Sequence, residues 1–466
     1  MRNRQEVGKG KKPYLNLAVI HITMEGIQTF GGGVATVTRG HLAAIPRLQE
    51  EMGKQGIHLT PYFLEIAYAK NHERRDPVFQ RKAEEEVKRL GGKVEYLVNY
   101  TEGLLPKAPM GVPDLGLMDN WKTASASGAA IALNIGRSHD MSVIYCHDSI
   151  FALAPIYITL QADSFDARVA AIYVMHATAL THELPLPNPD RLMVECASVQ
   201  WAKVKPNSRL GYISEFMAKH IVKDYGARPE DLVPTGNGIN PTDPYFRLRS
   251  REEILKKLKE YNIPTDKPLI FSWGRAVEYK RYDLVLEAAA KLKGKVHPVI
   301  MVTPQWEKLV ELDRKLGTNA SFIFAFDPEL VACLLQWENN SAALSLAYRE
   351  PFGLTPVEIR MHARKTGPLC VVSDTGGLVE QVRDGVDGFV TKQDDPADVA
   401  RVLDRIQSMS KEEKDAMHRA GVTTVLNNYT WSSQILKTLS SVVPEVAGVA
   451  SKARDELVHE TLASIR

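Results

Sequence analysis

The sequence predicts an α/β protein made of two domains, each built around its own parallel β-sheet. Short apolar runs alternate with longer helical patterns along most of the chain, a pattern typical of stacked β-α units. The 466 residues allow two or three domains of roughly 150 residues each. Segment 236–245 crowds Gly, Asn, Asp and Pro, and a new alternating series follows it, so it is the candidate domain boundary.

The apolar runs predict nine strands, with helices between them. Strands are expected at 15–22, 142–145, 169–175, 210–214, 269–273, 299–302, 321–326, 343–346 and 369–372. Helices are expected, among others, at 79–90, 252–261 and 282–292. Gly91 and Gly294 follow two of these helices, where a glycine in the left-handed conformation commonly ends a helix. Ligands of such sheets bind beyond the carboxyl ends of the strands, so we expect the chemistry there.

Composition restricts the class of protein. Lys and Arg number 58 against 56 Asp and Glu, and this balance argues against a dedicated nucleic-acid binder. With 44% hydrophobic and 24% charged residues, a disordered or fibrous chain is excluded. No apolar run approaches the ~18 residues of a membrane span. We expect a cytoplasmic protein with no transmembrane segment, and we expect the basic segment 1–14 to be a solvated tail rather than a membrane anchor.

The cysteines give no sign of a metal or disulfide framework. None of the four stands in a C-x-x-C pair or at zinc spacing to a histidine, so we expect small buried side chains in a reduced protein. They are Cys146, Cys196, Cys333 and Cys370.

Two basic residues follow a strand in the second half. The strand at 269–273 runs into Gly274-Arg275, and Lys280 comes five residues later. An arginine fork beside a lysine point charge at a strand end suits a phosphate or diphosphate. An ordinary basic loop is the alternative.

Segment 349–358 (REPFGLTPVE) predicts a helix N-terminus. Thr355 is placed to cap the helix, and Glu358 completes a capping box with it. The free amides at 353–355 would then face an anionic group. Glu350 lies outside the helix and has no capping task, so it is either functional or a solvated loop charge.

Two glycine clusters also lie near strand ends. In 373–380 (SDTGGLVE), Gly376 and Gly377 either let the backbone approach a ligand or only form a tight turn. Segment 30–34 (FGGGV) opens a helix after the first strand, but Thr36 breaks the dinucleotide fingerprint.

Taken in order, these motifs resemble those of retaining GT-B glycosyltransferases of the glycogen-synthase and sucrose-synthase-like superfamily, the group 1 glycosyl transferases. The shared order is a glycine loop at 31–34, then G-R-x4-K, E-x7-E and G-G-x-x-E. His147-Asp148 resembles that family's H-D-x4-L-x-P segment, His176 stands where the family has a histidine after a strand, and the G-N-G-I-N sequence matches its hinge. The resemblance covers nearly the whole chain.

The resemblance implies a GT-B fold, in which two Rossmann-like β/α/β domains face each other across a cleft. The N-terminal, acceptor-side domain would span 1–240, and the nucleotide-sugar donor domain 241–430. The helices of 431–466 would cross back to the first domain. The implied reaction transfers a hexose from a nucleoside-diphosphate sugar to a small hydroxylated acceptor or a glycan, with retention.

The resemblance also implies residue roles. Arg275 and Lys280 would grip the donor diphosphate, and Glu350 would lie against the donor sugar. Glu358 would hydrogen-bond the ribose, and His176 would contact the transferred sugar unless it is a satisfied core histidine. Further donor contacts would come from Gly32, Gly33, Phe352, Gly353, Leu354, Thr355, Gly376 and Gly377. His147 and Asp148 are weaker candidates for the acceptor side.

No metal and no cofactor are expected, since the family handles the diphosphate without metal and the sequence has no D-x-D motif. Acceptor recognition is expected in the first domain, for instance at 99–120. Glycogen and starch synthases carry a lysine before the glycine loop, whereas this chain has Thr29-Phe30 there, which counts against glucan elongation. The alternatives left open are glucan elongation, a sugar-nucleotide epimerase, a pseudo-glycosyltransferase and a non-catalytic sugar-nucleotide-binding protein.

Overall fold

The computed structural model describes residues 14–448 except 31, 69–71, 73, 98–117 and 184. Within this range the chain forms two compact units. The first comprises 14–212, 220–235 and 431–448, and the second comprises 213–219 and 236–430. The short stretch 213–219, which the sequence placed in the first domain, groups with the second unit.

The first unit contains a sheet of seven parallel strands. The strands are β1 (Leu15–Thr23), β2 (Ile57–Ile66), β3 (Lys93–Leu97), β4 (Met141–His147), β5 (Val169–Met175), β6 (Ser208–Tyr212) and β7 (Leu232–Pro234). Their order across the sheet is β3-β2-β1-β4-β5-β6-β7. Every residue of β4 and β5 is buried, as expected for a parallel sheet covered on both faces.

The second unit contains six parallel strands. They are β8 (Leu269–Arg275), β9 (His297–Thr303), β10 (Ser321–Ile323), β11 (Asn340–Ser345), β12 (Leu369–Ser373) and β13 (Phe389–Thr391), in the order β10-β9-β8-β11-β12-β13. Consecutive residues of β8 face opposite sides, because Ile270 packs into one apolar cluster and Phe271 into another. The sheet is therefore the middle layer of a core of its own.

Helices connect and cover the strands of both units. They are α1 (Gly33–Gly53), α2 (Pro77–Arg89), α3 (Met118–Gly136), α4 (Ala154–Gln161), α5 (Ala179–His182), α6 (Pro189–Ala202), α7 (Glu215–Tyr225), α8 (Arg251–Glu260), α9 (Tyr282–Lys291), α10 (Glu307–Leu316), α11 (Pro328–Leu334), α12 (Thr355–His362), α13 (Pro396–Ser408), α14 (Lys411–Asn428) and α15 (Trp431–Val442). Helix α15 belongs to the first unit, where Trp431 packs so close to Gly40 of α1 that a Cβ there would lie 2.2 Å from its ring.

All nine predicted strands are present, and the fold class is confirmed. Four strands were missed, and two of them, β7 and β13, have only three residues. Strand β2 contains Pro61, and β3 (KVEYL) alternates charged with apolar residues at one edge of the sheet.

Among the described helices, none combines the length and the apolar character that crossing a bilayer requires.

Candidate functional site

The carboxyl ends of β8 and β11, which are neighbours in the sheet of the second unit, bring a lysine and a glutamate together. Lys280 ends a one-turn 3₁₀ helix after β8, and its Nζ lies 2.5 Å from Oε2 of Glu350 in the loop after β11. Their side chains are only 19% and 13% exposed. Burial opposes the charge on Lys280, but the Glu350 carboxylate outweighs it and raises the pKa of the lysine. Lys280 is therefore charged at neutral pH.

The arginine of the same motif lies at the end of β8. Arg275 is exposed, and its Nη2 donates to the hydroxyl of Tyr279 at 2.9 Å. The preceding Gly274 has φ +143°, and a Cβ there would lie 2.7 Å from the hydroxyl of Tyr282. A glycine is thus required where the strand turns toward the two cations.

The N-terminus of α12 differs from the predicted capping box. Leu354 is the N-cap residue, Thr355 is the first residue of the helix, and no side chain of the described residues caps it. The capping interpretation of Thr355 and Glu358 is therefore wrong. Among the described residues, no group accepts a hydrogen bond from the amides at 353–355, which leaves them available to an anion.

Glu358 lies one turn into this helix. It is only partly exposed, and no hydrogen bond to another described side chain or backbone group holds its carboxyl. Burial raises its pKa to about 7. A carboxyl without a partner and with a strongly raised pKa is a feature of functional sites.

The glycine pair at 376–377 approaches protein backbone. Gly376 has φ +62°, and a Cβ there would lie 2.4 Å from the carbonyl oxygen of Glu350. The amide of Gly377 donates to the same oxygen at 2.8 Å. The amide of Gly377 is therefore occupied within the protein, and the pair supports the loop that carries Glu350; that its backbone approaches a ligand stays a prediction.

Three polar side chains that the sequence analysis did not assign hold this loop in place. Gln381 Nε2 donates to the carbonyl oxygens of Phe352 and Gly353, at 2.6 and 3.0 Å, and the Phe352 side chain is buried. Ser214 Oγ donates to the carbonyl of Pro351 at 2.5 Å. Glu380, the last residue of the G-G-x-x-E motif, accepts the first amides of α7, from Glu215 at 2.8 Å and from Phe216.

In the first unit, His147 is not available to an acceptor. It has no exposed surface, and its two ring nitrogens bond His21 and His176. The expectation that it contacts the acceptor is therefore wrong. Asp148 has φ +67°, and its carboxylate accepts the amide of Ser149 at 2.7 Å. Of the histidines predicted for the site, His176 is the one that is partly exposed.

A buried ion-pair network, which the sequence analysis missed, holds the segments after β4 and β5. Arg191 of α6 is 2% exposed, and its Nε donates to Glu195 Oε1 at 2.9 Å. Glu195 also accepts the Ser149 hydroxyl after β4 and the Ala179 amide after β5. The i,i+4 spacing of Arg191 and Glu195 was the available signal, but the sequence does not show that both are buried.

The glycine loop is described from Gly32 onward, since Gly31 lies outside the described residues. Gly33 begins α1, and no heavy atom of the described protein lies within 4 Å of the place where its Cβ would be. Gly32 lies beside Glu25, whose Oε1 accepts the amide of Ala35 at 3.1 Å. The helix start is thus capped by a carboxylate that the sequence analysis did not assign.

Two other expectations concern segments outside the described residues. Most of 99–120, the segment expected to recognise the acceptor, lies outside the described residues, as do 449–466. Within the part of the chain that is described, no cluster of three or more metal-ligating side chains is present.

Comparison with solved structures identifies the fold. The solved glycosyltransferase from Rickettsia africae matches with a TM-score of 0.63 and 16% identity, over 94% of this chain and 100% of that one. Anabaena HepE, solved in complex with UDP and glucose, matches with a TM-score of 0.58 and 16% identity, over 92% and 100%. The fold is the GT-B fold of two Rossmann-like domains.

Sequence comparison shows a family match over part of the chain. Residues 253–421 match the family described as Glycosyl transferases group 1. D-inositol 3-phosphate glycosyltransferases of Nocardia farcinica and Thermobifida fusca are each 26% identical, over 50% and 73% of this chain and 52% and 78% of their own. The matched region spans about half the length of the first of these curated relatives. The second unit of the chain is thus similar, over the matched residues, to the group 1 glycosyltransferases.

Proposed function

We propose that this chain transfers a hexose from a nucleoside-diphosphate sugar to a small hydroxylated acceptor, with retention at the anomeric carbon and without a metal. The observation that carries the proposal is the buried Lys280–Glu350 pair at the strand ends of the second unit, beside a helix N-terminus with unpartnered amides. This combination suits a diphosphate joined to a hydroxyl-rich group.

Each group has one task in this proposal. Lys280 and Arg275 bind the diphosphate, with help from the amides of 352–355. Glu350 accepts hydrogen bonds from hydroxyls of the donor sugar, and Glu358 accepts those of the nucleotide ribose. A carboxylate is suited to both tasks because it accepts from two adjacent hydroxyls.

In the first unit we assign His176 and the amides of Gly32 and Gly33 to the transferred sugar and its phosphates. The open space at Gly33 supports this assignment, because no described atom outside its own helix turn lies within 4 Å of the place where its Cβ would be.

The chemical step needs only electrostatic stabilisation and one proton transfer. The bond from the anomeric carbon to the β-phosphate oxygen breaks, and the acceptor oxygen forms a new bond to that carbon on the same face. The acceptor hydroxyl gives its proton to the departing phosphate oxygen. Lys280, Arg275 and the helix amides stabilise the charge that develops on the phosphate, and one such donor contributes about 3 kcal/mol in other enzymes.

Lys280→Ala tests the proposal directly. Loss of this cation is expected to lower kcat by about 10²- to 10³-fold, measured as hexose transfer from the sugar nucleotide that binds best. Lys315→Ala is the control, since Lys315 is an exposed lysine of α10 in the same unit. Melting curves of both variants show that they are folded. Unchanged turnover in the folded Lys280→Ala variant would overturn the assignment.

The nucleotide is identified by a thermal-shift panel of UDP, GDP, ADP and dTDP. The solved neighbours include proteins in complex with UDP-glucose and with ADP, so the panel contains both of these nucleotide types. Retention is tested by the anomeric proton coupling of the product in NMR, and metal independence by activity in the presence of EDTA. An inverted product or loss of activity in EDTA would contradict the respective part of the proposal.

A further inference from the structure

Three histidines from neighbouring strands of the first unit form a hydrogen-bonded chain. His21 lies on β1, His147 ends β4, and His176 follows β5; these strands are adjacent in the sheet. His21 Nδ1 lies 3.0 Å from His147 Nε2, and His147 Nδ1 lies 2.9 Å from His176 Nε2. Successive rings are stacked with centroids 5.3 and 5.2 Å apart. This three-histidine chain runs from the buried ring of His21 to the partly exposed side chain of His176.

Burial keeps all three rings uncharged. The two inner histidines have no exposed surface, and burial lowers the pKa of the one on β1 to about 3 and that of the one on β4 well below its usual value. Burial also lowers the pKa of His176, against the opposing charge of Asp148. The rings of His41 of α1 and Tyr145 of β4 pack against the three-histidine chain. Burial lowers the pKa of His41 and raises that of Tyr145, so both are uncharged at neutral pH.

Neutral rings restrict the directions of the two hydrogen bonds. A neutral imidazole carries one N–H and one lone pair. If His147 donates from Nδ1 to His176, its Nε2 must accept from His21, and if it accepts from His176, it must donate to His21. Both bonds therefore point outward or both point inward. The tautomer of His176 is tied in this way to that of His21.

The buried end of the chain favours the outward direction. Within the described protein, His21 Nε2 has no hydrogen-bond partner. In the outward arrangement this atom is a lone pair, whereas in the inward arrangement it is an N–H without an acceptor. Buried N–H groups without an acceptor are rarer than incompletely satisfied acceptors. The outward arrangement leaves His176 with its hydrogen on Nδ1, the ring nitrogen that no described group bonds.

We propose that His21 and His147 are positioning residues that hold His176 as its Nδ1–H tautomer, so that it donates a hydrogen bond to a hydroxyl of the transferred sugar. The ligand part of this inference rests on the proposed function. The tautomer part does not, because it follows from the three rings and the unpartnered nitrogen.

Ring-nitrogen NMR of the wild-type protein tests the tautomer without any ligand or variant. Long-range ¹H–¹⁵N correlations are expected to show His176 neutral at pH 7 with its hydrogen on Nδ1, and His147 in the same tautomer. A spectrum with the hydrogen of His176 on Nε2, or with a charged ring at pH 7, would overturn the proposal.

Variants test whether the chain sets this tautomer. His147→Phe removes both bonds and is expected to let His176 populate the Nε2–H form, whereas His147→Asn keeps a donor near the Nδ1 position and should restore the wild-type tautomer. His21 does not contact His176, yet His21→Phe should shift the tautomer of His176 in the same direction as His147→Phe. Tyr145→Phe is the control, because it alters the same stacked layer without removing a bond of the chain. An unchanged tautomer in folded His147→Phe would overturn the proposal.

Binding separates this inference from the proposed function. In His147→Phe, affinity for UDP-glucose is expected to fall roughly three- to tenfold, the effect of one hydrogen bond, while affinity for UDP stays unchanged. An equal loss for both ligands would overturn the sugar-contact part. If the wild-type protein binds neither, the proposed function for this nucleotide fails, and the NMR result still decides the tautomer.

Discussion

At the scale of single residues, Glu358 shows how burial changes the chemistry of a motif. The sequence pattern around it is that of a capping box, yet its carboxyl caps nothing. Because burial raises its pKa to about 7, this group changes charge close to neutral pH. A ligand that needs a carboxylate there must compete with a proton.

Donor binding is therefore expected to depend on pH through Glu358. UDP-glucose, whose diphosphate diester does not titrate near neutral pH, should bind about tenfold more weakly for each pH unit below 7, because the free protein is then protonated at this site. Calorimetry between pH 5.5 and 8 measures this dependence. Glu358→Gln should bind weakly at every pH without the slope; a slope that persists in this variant would contradict the assignment.

The same carboxyl makes a stability prediction of known sign. The folded-state pKa lies above the ordinary 4.5, so its contribution to stability is complete below pH 4.5 and is lost as the pH rises through 7. Glu358→Gln is expected to raise the free energy of unfolding by about 1–3 kcal/mol at pH 8 and by little at pH 4. Denaturant unfolding at both pH values measures this, and an equal effect at the two values would refute it.

Gly376 carries a second prediction at this scale. Gly376→Ala combines a left-handed φ with a Cβ 2.4 Å from the Glu350 carbonyl, whereas Gly294 has φ +80° and no neighbouring atom of the described residues within 4 Å of its Cβ position. Gly294→Ala is expected to lower the free energy of unfolding by about 1 kcal/mol. Gly376→Ala is expected to lower it clearly more and to reduce turnover as well. Unfolding and turnover measurements on the pair decide this. Equal losses of unfolding free energy in the two variants would contradict this prediction, because the protein would then have relieved the crowding at Gly376.

At the scale of elements, helix N-termini organise the second unit. That of α12 is left without a side-chain cap, whereas Glu380 occupies that of α7. Burial raises the pKa of Glu380 in spite of the two amides that it accepts. Its carboxylate thus joins the G-G-x-x-E turn to the start of α7.

Glu380→Ala is expected to lower the free energy of unfolding by about 1–2 kcal/mol and to reduce turnover, because the turn it holds supports Glu350. Ser410→Ala is the matched control: Ser410 caps α14 with a capping box of its own, so its loss should cost about 1 kcal/mol and leave turnover unchanged. If both variants lose activity alike, stability alone explains the loss.

At the scale of the whole molecule, the chain has two units with separate apolar cores. Each core has its own parallel sheet, so each unit is a separate target for a ligand that stabilises it. The residues proposed to bind the nucleotide and diphosphate, namely Arg275, Lys280 and Glu358, all belong to the second unit.

UDP is therefore expected to protect the second unit more than the first. At a UDP concentration of 100 times its Kd, binding is expected to raise the free energy of unfolding by about 2.7 kcal/mol. Native-state hydrogen exchange of the amides in β8 and β12 measures this gain, and the amides of β1 and β4 serve for comparison. Lys280→Ala should lose most of the gain. A larger gain in the first unit would contradict the assignment of the nucleotide site.

The sequence predicted most of the fold because the apolar runs of buried parallel strands are local signals. Strand β2 was missed because Pro61 interrupts its apolar run. Only the packed sheet shows that residue 92 must be a glycine beside this proline, because a Cβ at Gly92 would lie 1.7 Å from the carbonyl oxygen of Pro61. The motif of Arg275, Lys280 and Glu350 was visible for the same local reason, since strand ends and their flanking residues are adjacent in sequence.

The fold class, the resemblance to a family and the residues that end each strand can be read from local sequence patterns. Which polar groups meet depends on tertiary packing: the Lys280–Glu350 pair, the Arg191–Glu195 network and the three-histidine chain. The partners in the first and last of these are far apart in sequence, and the burial of all three depends on how strands and helices pack. The charges, pKa values and tautomers of these groups depend on their burial, because packing removes the water that would otherwise stabilise the charged forms.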